Sequence, residues 1–439
     1  MTHGIRVKSM KDSRVRWRLR LLNHVLYDTI AAWQAVKQKA TLPIDLSQLR
    51  HQKEMAVTIL ESCMVTPSEE TPRHGLWLSN LDLLVARNHT TPVLAYRPGH
   101  GPASCFSPDV LKASLSKALV PFYPLAGRLA EDRTGRQEIR CTGDGVLFVA
   151  ARVDATLDEM GDLVPSDEMR RMLCPSADGE HAGVLVLTQA TFFKCGAVCM
   201  GTSLHRLTAD GRAFANFLNA WAAIARGVCE AGVPRPWLDR TLLRARSPPA
   251  VRFDHTDVYS WRGGGGAKPK VPFEAAILPI SRSQVDALKG SAQVAKVDSI
   301  ISGSLGATTN RVSDAIAVLN DEFIRSLVDY AELATSDAEA AAGLRIQEWK
   351  VIPETDLWVV SWLGLTFSEV DFGWGRPAFI RPATIRGRAV FLIPSPGGLD
   401  VAAAMEPERL ARFKELFYEG LQRHSTVSPD MHAAKRSKL

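Results

Sequence analysis

The sequence predicts a mixed α/β protein built as two layered halves. Short apolar runs rich in β-branched residues alternate with segments whose apolar residues recur at helical spacing. The length of 439 residues is enough for two domains or one large one. Pro248-Pro249 and the four glycines at 263–266 interrupt the chain between the halves.

The first half opens with a strand and continues with a helix and a hairpin. Ala56–Leu60 is rich in β-formers. A helix is predicted to begin after Ser107, a good N-cap, with Pro108 at its first position. Val184–Phe193 and Ala197–Leu204 are two buried-strand patterns separated by a short turn, which predicts a hairpin.

A helix over Gly211–Arg226 follows the hairpin and presents one apolar face. That face consists of Phe214, Phe217, Leu218, Trp221 and Ile224. The second half continues the alternation of strands and helices. Its predicted elements are a strand at Ala275–Pro279, a helix near Ser283–Leu288, a helix at Asn310–Glu332, strands at Leu357–Trp362 and Arg388–Ile393, and a closing helix at Glu406–Glu419.

Composition excludes several classes of protein. With 46% apolar and 23% charged residues, the chain is neither disordered nor collagen-like nor a coiled coil. No apolar run approaches the ~18 residues of a membrane span, so no integral membrane protein is expected. The net charge of +6 is concentrated in residues 1–54, where eleven Lys/Arg face four acids. Because the remaining body is close to neutral, we expect no nucleic-acid partner.

The two ends of the chain and its cysteines bear on localisation. Residues 1–54 form a basic extension, compatible with an amphipathic helix on a membrane surface, an organelle-targeting peptide or an addition upstream of a start at Met55. Residues 426–439 form a short basic tail whose Ser-Lys-Leu ending matches a peroxisomal signal, a match that arises easily by chance. The seven cysteines show no CxxC pattern, which indicates reduced thiols in a cytoplasmic protein and no metal site.

Gly201–Arg212 is the segment with the most evident chemistry. His205 stands at the end of a predicted buried strand, and Asp210 precedes the following helix. An imidazole at a strand end can act as a base facing a cleft, although a histidine followed by an aspartate is weak evidence alone. The run Gly201-Thr-Ser-Leu-His205 mimics a serine-hydrolase elbow but has histidine where glycine is required, which excludes a hydrolase.

Six further motifs accompany this segment. They are Leu78–Asp82 (LSNLD), Tyr123–Arg128 (YPLAGR), Phe193–Gly196 (FKCG), Asp239–Arg246 (DRTLLRAR), Glu354–Trp362 (ETDLWVVSW) and Asp371–Gly375 (DFGWG). With them, the chain resembles the plant BAHD acyltransferases, and among these the grass hydroxycinnamoyl-CoA transferases that acylate amines such as agmatine and putrescine. The resemblance extends from about Met55 to about Tyr418.

The resemblance implies a two-domain chloramphenicol-acetyltransferase-like α/β fold with mixed sheets and flanking helices. Residues 55–236 would form the N-terminal domain, residues 271–425 the C-terminal domain, and residues 237–270 the crossover between them. Acyl-CoA would enter a solvent channel between the domains from one face and the acceptor from the other. The resemblance further implies a monomer that uses acyl-CoA as co-substrate and binds no cofactor.

The family's chemistry assigns expected roles to several residues. A histidine in an HxxxD motif deprotonates the amine or hydroxyl acceptor, which attacks the thioester carbonyl, and the aspartate is structural and turned toward an arginine. The candidate catalytic residues here are His205, Arg206 and Asp210. The DFGWG motif implies a structural role for Asp371, Gly373, Trp374 and Gly375.

The motif departs from the family in its spacing. Arg206 stands four residues before Asp210, where the family has its histidine, and His205 lies one position further back. Arginine stays protonated at any usable pH and cannot accept the proton. Because neighbouring side chains on a strand point to opposite faces, we expect His205 to face away from the channel. Losing a general base typically costs ~10²–10⁴-fold in rate.

The second domain is predicted to be truncated. After Lys289 the family continues with a core helix and channel-lining strands, whereas this chain passes directly through 290–309 to Asn310. The loss of a buried helix opens a hydrophobic seam worth several kcal/mol. Two functions therefore remain open: an acyltransferase, and a catalytically impaired or inactive relative that at most binds acyl-CoA or a partner.

Overall fold

The computed structural model of the chain describes residues 56–98, 107–255, 273–288, 316–335 and 357–425. The predicted extension at 1–54, the tail at 426–439 and the segment 289–315 lie outside the described residues, as does the glycine-rich part of the crossover.

Strands and helices alternate along the described residues. The strands are β1 (Val57–Val65), β2 (Gly75–Trp77), β3 (His89–Thr90), β4 (Pro92–Tyr96), β5 (Arg128–Glu131), β6 (Gln137–Arg140), β7 (Val146–Val153), β8 (Val186–Phe193), β9 (Val198–His205), β10 (Glu274–Ser281), β11 (Trp358–Ser361), β12 (Phe379–Pro382), β13 (Ala389–Ser395) and β14 (Gly398–Met405). The helices are α1 (Asn80–Leu83), α2 (Pro108–Ala118), α3 (Asp167–Leu173), α4 (Gly211–Ala225), α5 (Asp321–Thr335) and α6 (Pro407–Ser425).

A seven-stranded mixed sheet organises the first half. Its strand order is β1-β7-β8-β9-β4-β12, with β3 beside β9. The β7–β8 pair is parallel, whereas β8 and β9 pair antiparallel as the predicted hairpin. Strand β12 belongs to the second half of the sequence, and its Phe379 pairs with Ala95 of β4. The two halves of the chain therefore share one sheet.

The second half builds its own sheet, with strand order β10-β14-β13-β11. Helix α6 covers one face of it, and Phe413 and Phe417 of the helix are fully buried there. The other face contributes Ile393 and Ala402 to the main core, which also contains residues of α2 and α4. A three-stranded sheet, β2-β6-β5, completes the fold. The mixed α/β architecture predicted from the sequence is confirmed.

Local sequence explains the elements that position the candidate residues. Ser107 caps α2 by accepting the N–H of Asp109, and Pro108 occupies the first turn, as predicted. The predicted apolar face of α4 is buried at every position: Phe214, Phe217, Leu218, Trp221 and Ile224. Among the described residues, the helices are too short or too polar to cross a bilayer.

Candidate active site

The candidate catalytic residues lie where β9 ends and α4 begins. His205 is the last residue of β9 and Asp210 is the N-cap of α4. Between them the chain makes a tight turn, in which the carbonyl oxygen of His205 accepts both the N–H and the hydroxyl of Thr208, at 3.0 and 2.6 Å. The turn therefore has a fixed geometry.

His205 is a buried side chain, 8% exposed. Its Nδ1 atom accepts the backbone N–H of Leu207 at 3.3 Å, so the neutral ring carries its proton on Nε2. Burial, reinforced by His89 and Arg87, lowers the pKa of His205 to about 4. The ring is a weak base, and its Nδ1 lone pair is already engaged by the turn.

The sheet face to which His205 belongs is covered by α3. His89 pairs with His205 across β3 and β9, and the two rings meet edge to face with centroids 5.0 Å apart. By strand alternation, His205 shares its face with Cys199, which packs in a cluster with Leu173 of α3. The opposite face of β9 carries Leu204 into the main core.

Arg206 occupies the position directly after the strand. Its backbone N–H donates to the carbonyl oxygen of Asn88 at 3.0 Å. Its side chain is partly buried, which lowers the pKa of the guanidinium without making it a base at usable pH. In the described part of the chain, the guanidinium makes no ion pair.

Asp210 serves the helix that follows it. Its Oδ1 atom accepts the N–H of Ala213 at 2.8 Å, which caps the first turn of α4. The resemblance implies an arginine partner, but the ion pairs among the described residues include none for this exposed carboxylate. Its structural role is thus carried by the helix cap.

The turn lies at the junction of the two halves. A Cβ on Gly211 would come within 3.0 Å of the side chain of Leu365, which belongs to the second half. One turn further along α4, the ring of Phe214 meets that of Phe367, with centroids 5.9 Å apart. The side-chain amide of Asn219 donates to the Thr366 carbonyl oxygen at 3.0 Å. This junction is where the resemblance implies the substrate channel.

The DFGWG motif forms a turn of its own, which packs on α4 through Phe372 and Trp221. Oδ1 of Asp371 accepts the N–H of Gly373 at 2.7 Å and that of Gly375 at 2.9 Å. Both glycines have positive φ, 98° and 87°, a conformation that other L-residues adopt only with strain. Trp374 stacks on Phe372, with ring centroids 5.1 Å apart. These contacts support the structural role expected for Asp371, Gly373, Trp374 and Gly375.

Arg240 is a further contact of the turn. It lies in the DRTLLRAR motif of the crossover, and it reaches Asp82 of the LSNLD motif and the carbonyl oxygen of Thr208. His89 also lies beside the turn through its contact with His205. Neither contact has a local sequence signal, because the partners come from distant parts of the chain. Among the described residues, no cluster of three or more His, Cys, Asp or Glu has the arrangement of a metal site.

The fold is that of the chloramphenicol-acetyltransferase-like acyltransferases. The solved structure of vinorine synthase covers 81% of this chain and 96% of its own, with a TM-score of 0.58 and 22% identity. The structure of TRI101 from F. graminearum, complexed with coenzyme A and deoxynivalenol, covers 78% and 97%, with a TM-score of 0.61 and 16% identity. At these identities the likeness establishes the fold alone.

The amino-acid sequence assigns the chain to a family. The model of the Transferase family matches residues 55–298 and 286–420. The chain belongs to this family, the BAHD acyl-CoA-dependent acyltransferases.

Two curated relatives, both named as enzymes, are matched over their whole length. The chain is 49% identical over 449 residues to putrescine hydroxycinnamoyltransferase 1 of Oryza sativa subsp. japonica, covering 84% of this chain and 100% of the relative. It is 32% identical over 443 residues to the shikimate O-hydroxycinnamoyltransferase of Nicotiana tabacum, covering 83% and 100%. The relatives therefore favour an acyltransferase over the inactive alternative.

The chain lacks part of the length of its relatives, as the predicted truncation requires. Because 84% of 439 residues is about 369, about 80 of the 449 positions aligned with the rice relative carry no residue of this chain. The family match is also divided into two ranges that overlap at 286–298. This overlap contains Lys289, after which the sequence predicts the missing block. Both observations support a shortened second domain.

Proposed function

We propose that this chain transfers a hydroxycinnamoyl group from its CoA thioester to an aliphatic amine such as putrescine or agmatine. The observation that carries the proposal is the 49% identity to the rice putrescine hydroxycinnamoyltransferase over that enzyme's whole length. The shikimate O-hydroxycinnamoyltransferase, which acts on a hydroxyl acceptor, is 32% identical. An amine acceptor therefore has the stronger support.

The acyl group passes directly from the thioester to the amine, without a covalent enzyme intermediate. The amine nitrogen attacks the thioester carbonyl carbon and forms the C–N bond of a tetrahedral intermediate. Collapse of the intermediate breaks the C–S bond and releases the amide and the CoA thiolate. The amine loses one proton and the thiolate takes one up. The turn at residues 205–210 lies where both substrates would meet, at the junction between the halves.

We expect this reaction to be slow because position 206 carries arginine. A guanidinium cannot take the proton of the attacking amine, so proton removal falls to water and is slow. His205 does not replace the missing base. Its Nδ1 lone pair is engaged by Leu207, its pKa is about 4, and it belongs to the sheet face that α3 covers. Position 206 is therefore the point at which turnover is limited.

We also propose that the protein is a cytoplasmic monomer that takes acyl-CoA and the acceptor from solution and requires no bound cofactor. The cysteines of the described residues are all free thiols, which supports a reducing compartment. Neutrality of the body outside residues 1–54 supports small-molecule partners in place of nucleic acid.

A product assay with two acceptors tests the proposal. The full chain is incubated with coumaroyl-CoA and either putrescine or shikimate, and the products are separated by mass. A reaction without acceptor measures thioester hydrolysis. We expect the coumaroyl amide of putrescine to accumulate above that background. Ester from shikimate without amide from putrescine would contradict the choice of acceptor, and hydrolysis alone would contradict acyl transfer.

A further inference from the structure

The turn that carries Arg206 is attached to two distant parts of the chain by one guanidinium. Nε of Arg240 lies 3.1 Å from Oδ2 of Asp82, and Nη2 donates to the carbonyl oxygen of Thr208 at 3.0 Å. Thr208 stands two residues after Arg206. Arg240 thereby connects the crossover and α1 to the turn.

Both partners of this ion pair are shielded from water. The side chain of Arg240 is 16% exposed and that of Asp82 is 23% exposed. Asp82 is itself fixed, because its Oδ2 accepts the backbone N–H and the hydroxyl of Ser79, each at 2.8 Å. A carboxylate held in this way orients the planar fork of the arginine, which a surface pair in water does weakly.

Hydrogen bonds fix the backbone both at Arg206 and in the turn that follows it. Its N–H donates to the carbonyl oxygen of Asn88, and the turn that follows it is closed by Thr208 on the carbonyl oxygen of His205. The carbonyl group of Thr208 is in turn fixed by Arg240. Movement of Arg240 would therefore displace the turn and, with it, the side chain at position 206.

We propose that Arg240, oriented by Asp82, is a positioning residue for position 206. The expected effect on turnover rests on the proposed function, in which the acceptor loses its proton beside position 206. A displacement of about 1 Å caused far from the reacting atoms can cost about 10²-fold in rate.

The kinetic test uses two disruptive variants and a matched control. Arg240→Lys keeps the charge but loses its paired contacts with Asp82 and the Thr208 carbonyl oxygen, and Asp82→Asn removes the partner's charge. Arg128→Lys is the control, because Nη1 of this partly buried arginine bridges the Gly127 and Gly145 carbonyl oxygens and does not contact the turn.

The kinetic effect is measured in the Arg206→His background. We expect both disruptive variants to lower kcat for amide formation about tenfold or more, with KM for acyl-CoA changed less than about threefold. The control should leave both constants within about threefold.

A second readout does not depend on turnover. Amide hydrogen exchange in the segment 205–210 should accelerate in Arg240→Lys and Asp82→Asn and stay unchanged in Arg128→Lys. Unchanged kcat and unchanged exchange in both disruptive variants would overturn the inference. If neither the unmodified chain nor Arg206→His forms amide, the proposed function fails, and exchange alone decides the positioning role. If Arg240→Lys does not fold, Asp82→Asn decides it.

Discussion

The backbone N–H of Leu207 donates to Nδ1 of His205 over 3.3 Å, so the one histidine of the motif holds its own turn in place. A general base must present a free lone pair to the acceptor. Here the Nδ1 lone pair is engaged and the other ring nitrogen carries the proton. We therefore expect the histidine to be a structural group and Arg206 to be the position that limits catalysis.

Replacement of His205 should affect stability more than catalysis. His205→Leu leaves the buried N–H of Leu207 without its acceptor, and we expect the free energy of unfolding to fall by about 1–3 kcal/mol. His205→Asn offers an amide oxygen in place of Nδ1 and should lose less. Urea unfolding followed by circular dichroism measures both. Equal losses in the two variants would contradict the acceptor role.

Stability should fall as the pH is lowered between 6.5 and 4. The ordinary pKa of a histidine, as in the unfolded chain, is 6.5, whereas the pKa of His205 in the folded protein is about 4. Between these values the unfolded chain binds a proton that the folded chain does not. The neutral ring therefore contributes fully to stability above pH 6.5. Between pH 6.5 and pH 4 the free energy of unfolding falls by about 3 kcal/mol. Urea midpoints measured across this range should fall more steeply for the unmodified chain than for His205→Asn. Identical slopes would show that another group titrates.

Asp210 should be replaceable by another helix cap. Asp210→Ala removes the acceptor for the N–H of Ala213 and should cost about 1 kcal/mol of stability. Asp210→Ser restores a cap without a charge, and we expect it to recover most of that loss. Thermal unfolding compares the two variants. A serine variant as unstable as the alanine variant would indicate that the carboxylate acts through its charge, as the family's arginine partner implies.

Asp371 should stabilise the fold without taking part in the reaction. Asp371→Ala leaves the N–H groups of Gly373 and Gly375 without their shared acceptor, at a cost of about 2 kcal/mol. Asp371→Asn keeps one oxygen and should be milder. Specific activity per folded molecule, measured below the unfolding transition, should equal that of the unmodified chain. A loss of activity in the folded variant would place this loop closer to the chemistry.

Much of the first half could be predicted from local patterns. The hairpin of β8 and β9 follows from two β-branched runs, and the buried face of α4 follows from apolar spacing. The pairing of β12 with β4 could not be predicted, because a four-residue strand has little periodicity and its partner lies in the other half.

The site was less predictable than the fold. Strand alternation predicts that His205 and Leu204 lie on opposite faces, and their packing clusters agree. The contact of Arg240 with Thr208 has no counterpart in spacing or composition, since it depends on how the crossover packs. Likewise, the engagement of Nδ1 of His205 depends on the exact path of the turn.

The rate of amide formation by Arg206→His, compared with that of the unmodified chain, shows whether position 206 limits turnover. Both proteins are given coumaroyl-CoA and putrescine at saturating concentrations, and Arg206→Gln serves as a control that removes the charge without adding a base. We predict that histidine raises kcat by about 10²-fold or more and that glutamine does not, because a general base is restored where the acceptor loses its proton. Equal rates for the histidine and glutamine variants would show that the missing base at position 206 does not limit turnover.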